Sequence, residues 1–137
     1  MRRITMILPM TAGLCFPPTL FSSKEGIMAW SDFSISSRGI GESGPVSVSG
    51  TQTPEGIASL RVRAFGREVA AEPSQIMELR GFLANGMLLS YEAGYKELGG
   101  RTVYLIFFKG FTSGVQSAMR VEINERGVLK IAKSASR

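Results

Sequence analysis

Histidine is absent from this 137-residue chain, and cysteine occurs once, at Cys15. A serine–histidine triad is therefore excluded, and a zinc site would need several thiolates that are not there. A single cysteine also rules out an intrachain disulfide. Aspartate occurs once, at Asp32, which excludes aspartate-rich calcium loops. No Gly-Lys-Ser/Thr is present, so no Walker-type phosphate loop exists, and no Gly-x-Ser-x-Gly nucleophile elbow is found. Long alanine-rich helical runs are missing as well. These gaps remove most metal, triad and nucleotide chemistries, and no cofactor is implied.

What is present fits a folded β protein. Hydrophobic residues make up 44% and charged residues 20%, a balance that argues against wholesale disorder. Sixteen glycines call for many short elements joined by turns. The net charge is +5; Arg2, Arg3, Lys24 and Glu25 precede Met28, leaving 13 bases against 10 acids in the remainder. So mild an excess suits a soluble domain with some preference for anionic partners. It is not the dense basic footprint of a nucleic-acid binder, and no nucleic-acid partner is expected.

Residues 1–29 read differently from the rest. Arg2 and Arg3 precede an apolar run, Ile4 to Phe21, like the basic and apolar regions of a secretory signal, with Ile27-Met28-Ala29 as a cleavage site. Pro9, Pro17 and Pro18 interrupt the run and argue against a stable membrane span. Leu14 is bulky for the residue before a lipidated cysteine, which disfavours anchoring at Cys15. Export to the periplasm or outside is the expectation. The alternative is a cytoplasmic protein starting at Met28.

Residues 30–137 carry period-two alternation, the mark of half-buried strands. Phe33 and Ile35 form one strand, Val46 and Val48 a second, and Leu60, Val62 and Ala64 a third. Thr51 to Gly56 reads as a loop, and Gly66 as a bend after which Glu68 to Ala70 continues the third strand. Ile76, Met77, Leu79 and Leu83 fit a helical stripe, so a short helix near 73–84 is expected, started at Pro73 and stopped at Gly86. The rival reading is a hairpin at Asn85-Gly86. Leu89, Tyr91, Ala93 and Tyr95 alternate, and Gly99-Gly100 suits a tight turn. Thr102 to Lys109 is almost wholly apolar and reads as a central strand buried on both faces. Val115 to Ile123 alternates again, Asn124 to Gly127 turns, Val128 to Ile131 closes the sheet, and a polar tail follows. The expected fold is mainly β: a single antiparallel sheet or small sandwich or barrel of about six to eight strands with one short helix, in one domain.

Gly39-Ile40-Gly41-Glu42-Ser43-Gly44 matches the dinucleotide-binding glycine pattern in letters only. Pro45 and an alternating strand follow where that chemistry needs a helix N-terminus, so the match is rejected. The best recognition candidate is the stretch Lys109 to Gly114. Phe111 in a loop is costly unless it packs or binds, Thr112 and Ser113 offer hydroxyls, and Lys109 offers a charge. Arg61 and Arg63 form a second candidate patch for an anionic partner. Tyr104, Ile106 and Phe108 share one face of the apolar strand. If nothing in the chain covers that face, a second copy is expected to do so in a homo-oligomer. Glu92 and Glu97, near Tyr91 and Tyr95, are a carboxylate pair that could do acid–base work in a hydrolase. The leading expectation is a small, exported, non-enzymatic binding protein of inhibitor or accessory-subunit type, recognising a protein or an anionic ligand. A self-assembling cytoplasmic protein and a carboxylate-dependent hydrolase follow it.

Overall fold

The computed structural model describes residues 26–93 and 100–133. The leader-like run with Cys15, the end of the 89–95 alternation at Tyr95, Glu97, the first residue of the Gly99-Gly100 turn and most of the polar tail lie outside them. Among the described residues the chain forms eight strands and one short α-helix, besides a 3-10 turn at Gly41–Ser43. They are β1 (Asp32–Ser37), β2 (Val46–Thr53), β3 (Gly56–Ala64), β4 (Arg67–Ala70), α1 (Pro73–Glu78), β5 (Gly86–Glu92), β6 (Thr102–Phe111), β7 (Gly114–Asn124) and β8 (Leu129–Lys133). β1 to β4 make one antiparallel sheet in chain order, and β5 to β8 make a second. The mainly antiparallel β reading of the sequence is therefore correct, and its form is two four-stranded sheets.

Strand alternation decides which faces meet. Phe33, Val46, Val48, Leu60, Val62 and Ala64 of the first sheet share one core cluster with Val103, Leu105, Phe107, Met119, Val121 and Ile123 of the second. Phe33 meets Phe107 edge-on, with ring centroids 5.6 Å apart, and so joins the two layers. Leu79, at the end of α1, is fully buried in the same cluster.

Two glycines inside strand pairs are explained by aromatic neighbours. Gly50 of β2 lies opposite Phe33, and a Cβ there would sit 2.5 Å from the Phe33 ring and clash with the Ser59 carbonyl. Gly86 of β5 lies opposite Phe108, whose ring a Cβ would overlap. In each case the ring lies across the bare backbone and shields it from water, a cross-strand device known to stabilise glycine in sheets.

Several local expectations need correction. β2 runs through Thr53, and the turn is Pro54-Glu55 alone, because Thr53 pairs directly with Gly56. Glu68 to Ala70 does not continue the third strand. Phe65 and Gly66 both take positive φ (52° and 69°), a two-residue hairpin turn that reverses the chain into β4. Phe65 is an unusual residue there, and it packs on Tyr91 of the other sheet with centroids 6.4 Å apart. The helix is only six residues long. Gly81 takes a φ of 81°, its N–H donates to the Glu55 carbonyl, and Arg80 bridges to Gly56, so the chain leaves the helix to pair with the β2–β3 turn. Gly86 is neither a helix stop nor a hairpin turn; it starts β5. Val115 is 62% exposed although the alternation put it with the buried residues of β7. A bulge between Lys109 and Gly110 shifts the pairing at that end of the sheet.

Candidate functional site

The stretch Lys109 to Gly114 is mostly strand, not loop. β6 continues through Phe111, which pairs with Gly114, so only Thr112 and Ser113 form the exposed tip. Phe111 is half-buried, with the Lys109 ammonium 5.9 Å from its ring centroid. Asn85 pins the base of this hairpin. Its Nδ2 donates to the Gly110 carbonyl and its Oδ1 accepts from the Gly110 N–H, both at 2.8 Å. Phe108, Phe111, Thr112, Asn85, Gly26 and Met28 line a shallow hollow of about 450 Å³ beside the tip. Arg61 and Arg63 are exposed on the outer face of the first sheet, and Arg61 lies 3.7 Å from Glu68. The structure thus brings Lys109, Phe111, Thr112 and Ser113 together and leaves the two arginines on the opposite sheet.

The outer face of the second sheet is the larger feature. Register sets three cross-strand rows on it: Gly86, Phe108 and Ala118; Leu88, Ile106, Arg120 and Ala132; Ser90, Tyr104, Glu122 and Lys130. Period-two geometry places them all on the side away from Leu105 and Phe107. The sequence reading of β6 as buried on both faces is corrected here. Val103, Leu105 and Phe107 are buried, whereas Tyr104, Ile106 and Phe108 are half-buried and lie outside the core cluster. Leu88 beside them is 58% exposed. The apolar run was legible, but a run of apolar letters does not say whether a second layer covers both sides.

Polar groups on this face are held in place. Arg120 Nη2 lies 2.8 Å from Glu122 Oε1, and its guanidinium sits 5.5 Å from the Tyr104 ring centroid. Partial burial pushes the Tyr104 hydroxyl above the usual tyrosine range; the Glu92 carboxylate adds to this, Glu122 adds less, and Arg120 opposes it. Ser90, Glu92, Tyr104, Ile106, Arg120 and Glu122 enclose an open hollow of about 350 Å³. Glu92 is exposed at the end of β5, and its proposed partner Glu97 lies outside the described residues. No group of three or more histidine, cysteine, aspartate or glutamate side chains suited to a metal occurs among the described residues, and no helix there is long and apolar enough to cross a membrane.

Arg120, Glu122 and Leu88 were not singled out from sequence. The β7 alternation did place Arg120 and Glu122 opposite the core face, but only strand register shows that they flank Ile106 and Tyr104. Compared with protein-family models, curated proteins and solved structures, the chain matches none.

Proposed function

We propose that this protein acts by recognition, binding another protein through the outer face of its second sheet. One observation carries the reading: Leu88, Ile106 and Phe108 form an apolar centre in register across two strands. Tyr104 and Arg120 lie beside it, and Glu92, Glu122 and Lys130 lie around it. An apolar centre with a polar rim is the anatomy of protein interfaces, and Tyr, Phe and Arg are enriched there. Two bases and two acids leave the face near neutral, which favours a protein partner over an anionic ligand. The Arg120 guanidinium, already held against Tyr104 and Glu122, loses little further freedom on binding. The hairpin tip with Lys109, Phe111, Thr112 and Ser113 adjoins the Phe108 end of this face and extends the contact.

The experiment is position-specific photocrosslinking in the native host. A photoreactive residue at Ile106 is expected to capture one discrete partner band, lost with Leu88→Glu in the same chain. The same residue at Ser34, on the outer face of the first sheet, captures none. Equal bands from both positions, or none from Ile106, would overturn the proposal. Export of the chain belongs to the same reading and rests on Arg2, Arg3 and the apolar run to Phe21. N-terminal sequencing of the native protein is expected to find a chain beginning after Ala29. A start at Met1 or Met28 would place recognition in the cytoplasm.

A further inference from the structure

Two sheets of four strands leave four edges among the described residues, and β4 and β8 carry the usual guards against strand addition. β4 is four residues long and carries Arg67 and Glu68, and β8 carries Lys130; β1 has one acid, Asp32, at its first position, and its outer-side residues are serines. Charge, lysine and shortness are the devices by which natural edges avoid pairing. β5 has none of them over most of its length. It reads Gly-Met-Leu-Leu-Ser-Tyr-Glu, with no proline, no base, and its one acid at the last position. It pairs only with β6, and no further backbone hydrogen bond joins residues 86–92 to any other described residue. Apolar surface flanks the same edge. Leu88 is 58% exposed, and Ile40, 70% exposed, lines a cleft of about 240 Å³ with Leu89, Ser90 and Tyr91.

We infer that two copies of this chain pair edge to edge through β5, antiparallel about Leu89, to form one continuous eight-stranded sheet. The strand is self-complementary in that register. Gly86 of each copy lies opposite Glu92 of the other, Met87 opposite Tyr91, and Leu88 opposite Ser90, so no like charges face each other. The two-fold axis runs perpendicular to the sheet. It keeps Met87, Leu89 and Tyr91 on the core side and Leu88 and Ser90 on the outer side in both copies, as period-two side chains require. A register shifted by one residue would set core-side residues against outer-side ones. The pairing also sets the two Leu88–Ile106–Phe108 patches on the same side of the joined sheet. It stands whether or not that face binds a partner.

The test uses the purified full-length chain in sedimentation equilibrium. Wild type is expected at twice the chain mass. Ser90→Lys puts a charge on the exposed side of the edge and is expected to weaken the dimer by about tenfold or more, leaving the far-ultraviolet spectrum unchanged. Leu88→Lys, at a more exposed position, gives the same result if Ser90→Lys fails to fold. Ser34→Lys, the same charge on β1, leaves the dimer intact. For the register, Leu89→Cys in a Cys15→Ser background is expected to form an intermolecular disulfide, because directly opposed strand residues lie within disulfide reach. Met87→Cys in that background is not. A monomer at every concentration, a dimer that survives both lysine variants, or one that dissociates with Ile106→Glu, would overturn the inference. So would cross-linking through Met87→Cys in place of Leu89→Cys.

Discussion

Replacing Gln52 with methionine tests whether one buried side chain ties the entry to the first sheet to the entry to the second. Gln52 lies in β2 and is 7% exposed. Its Nε2 donates to the Trp30 carbonyl at 2.7 Å and to the Ala84 carbonyl at 3.0 Å, and its Oε1 accepts from the Ala84 N–H at 2.7 Å. Trp30 precedes β1 and Ala84 precedes β5, so these three bonds join segments that strand pairing does not. Methionine has nearly the same length and no branch, and it fills the space without making the bonds. The Ala84 N–H then loses its only acceptor among the described residues. The Ala84 carbonyl keeps its bond from the Trp30 N–H at 3.3 Å, and the Trp30 carbonyl loses its side-chain donor. One fully orphaned donor costs about 1–3 kcal/mol, and two weakened acceptors raise the total to about 2–4 kcal/mol. That is a large share of the ~5–15 kcal/mol by which domains are stable. Urea unfolding is the assay: the midpoint is expected to fall with the slope unchanged. A loss below about 1 kcal/mol would refute the reasoning, because an orphaned buried amide cannot be that cheap.

Three further outcomes follow from the same contacts. Gly86→Ala drives a methyl into the Phe108 ring and is expected to lower stability by about 1–3 kcal/mol, read as a drop in melting temperature; an unchanged melt would show that the ring does not lie over Gly86. Phe107→Ala empties the centre of the core and is expected to cost about 3–5 kcal/mol in the same unfolding assay; a loss near 1 kcal/mol would mean that the sheets do not meet there. Tyr104 gives a pH dependence. An unfolded tyrosine loses its proton near pH 10, and the folded one only at higher pH. Between the two the folded state holds more protons, so stability is fully kept below about pH 10 and falls as pH rises through that window. Glu92→Gln is expected to lower the Tyr104 titration seen by ultraviolet difference spectroscopy, identified by its loss in Tyr104→Phe. No movement would remove Glu92 as a cause.

Strand faces were legible wherever one side meets the core and the other meets water. Leu60, Val62 and Ala64 alternate with Arg61 and Arg63, and the letters alone assign both faces. Thr102 to Lys109 defeats that rule, because Tyr104, Ile106 and Phe108 are as apolar as their buried neighbours. Composition gives the preference of a side chain, and only the neighbouring layers decide whether it is met. The turn at Phe65-Gly66 was missed because phenylalanine is no turn-former; its packing on Tyr91, a contact between sheets, accompanies its positive φ. The overlong helix had a similar cause. Leu79 and Leu83 keep the helical spacing, but Gly81 and Arg80 pair with the β2–β3 turn, a partner distant in sequence. Asn85-Gly86 resembled a turn, yet Asn85 clamps Gly110 and Gly86 sits beneath Phe108. Of the candidate site, Lys109 to Ser113 was visible as a glycine-flanked stretch with a stray aromatic. Arg120 and Leu88 became neighbours of Ile106 only through strand register.

Under the proposed function, adjacent residues of β6 have opposite duties, Phe107 holding the sheets together and Ile106 meeting a partner. Ile106→Glu separates the two, followed in parallel by urea unfolding and by photocrosslinking from Tyr104. A stability loss of no more than about 1 kcal/mol, the worth of a cross-strand pair, is expected together with loss of the partner band. Unfolding as severe as that of Phe107→Ala, or an undiminished band from a folded variant, would contradict it.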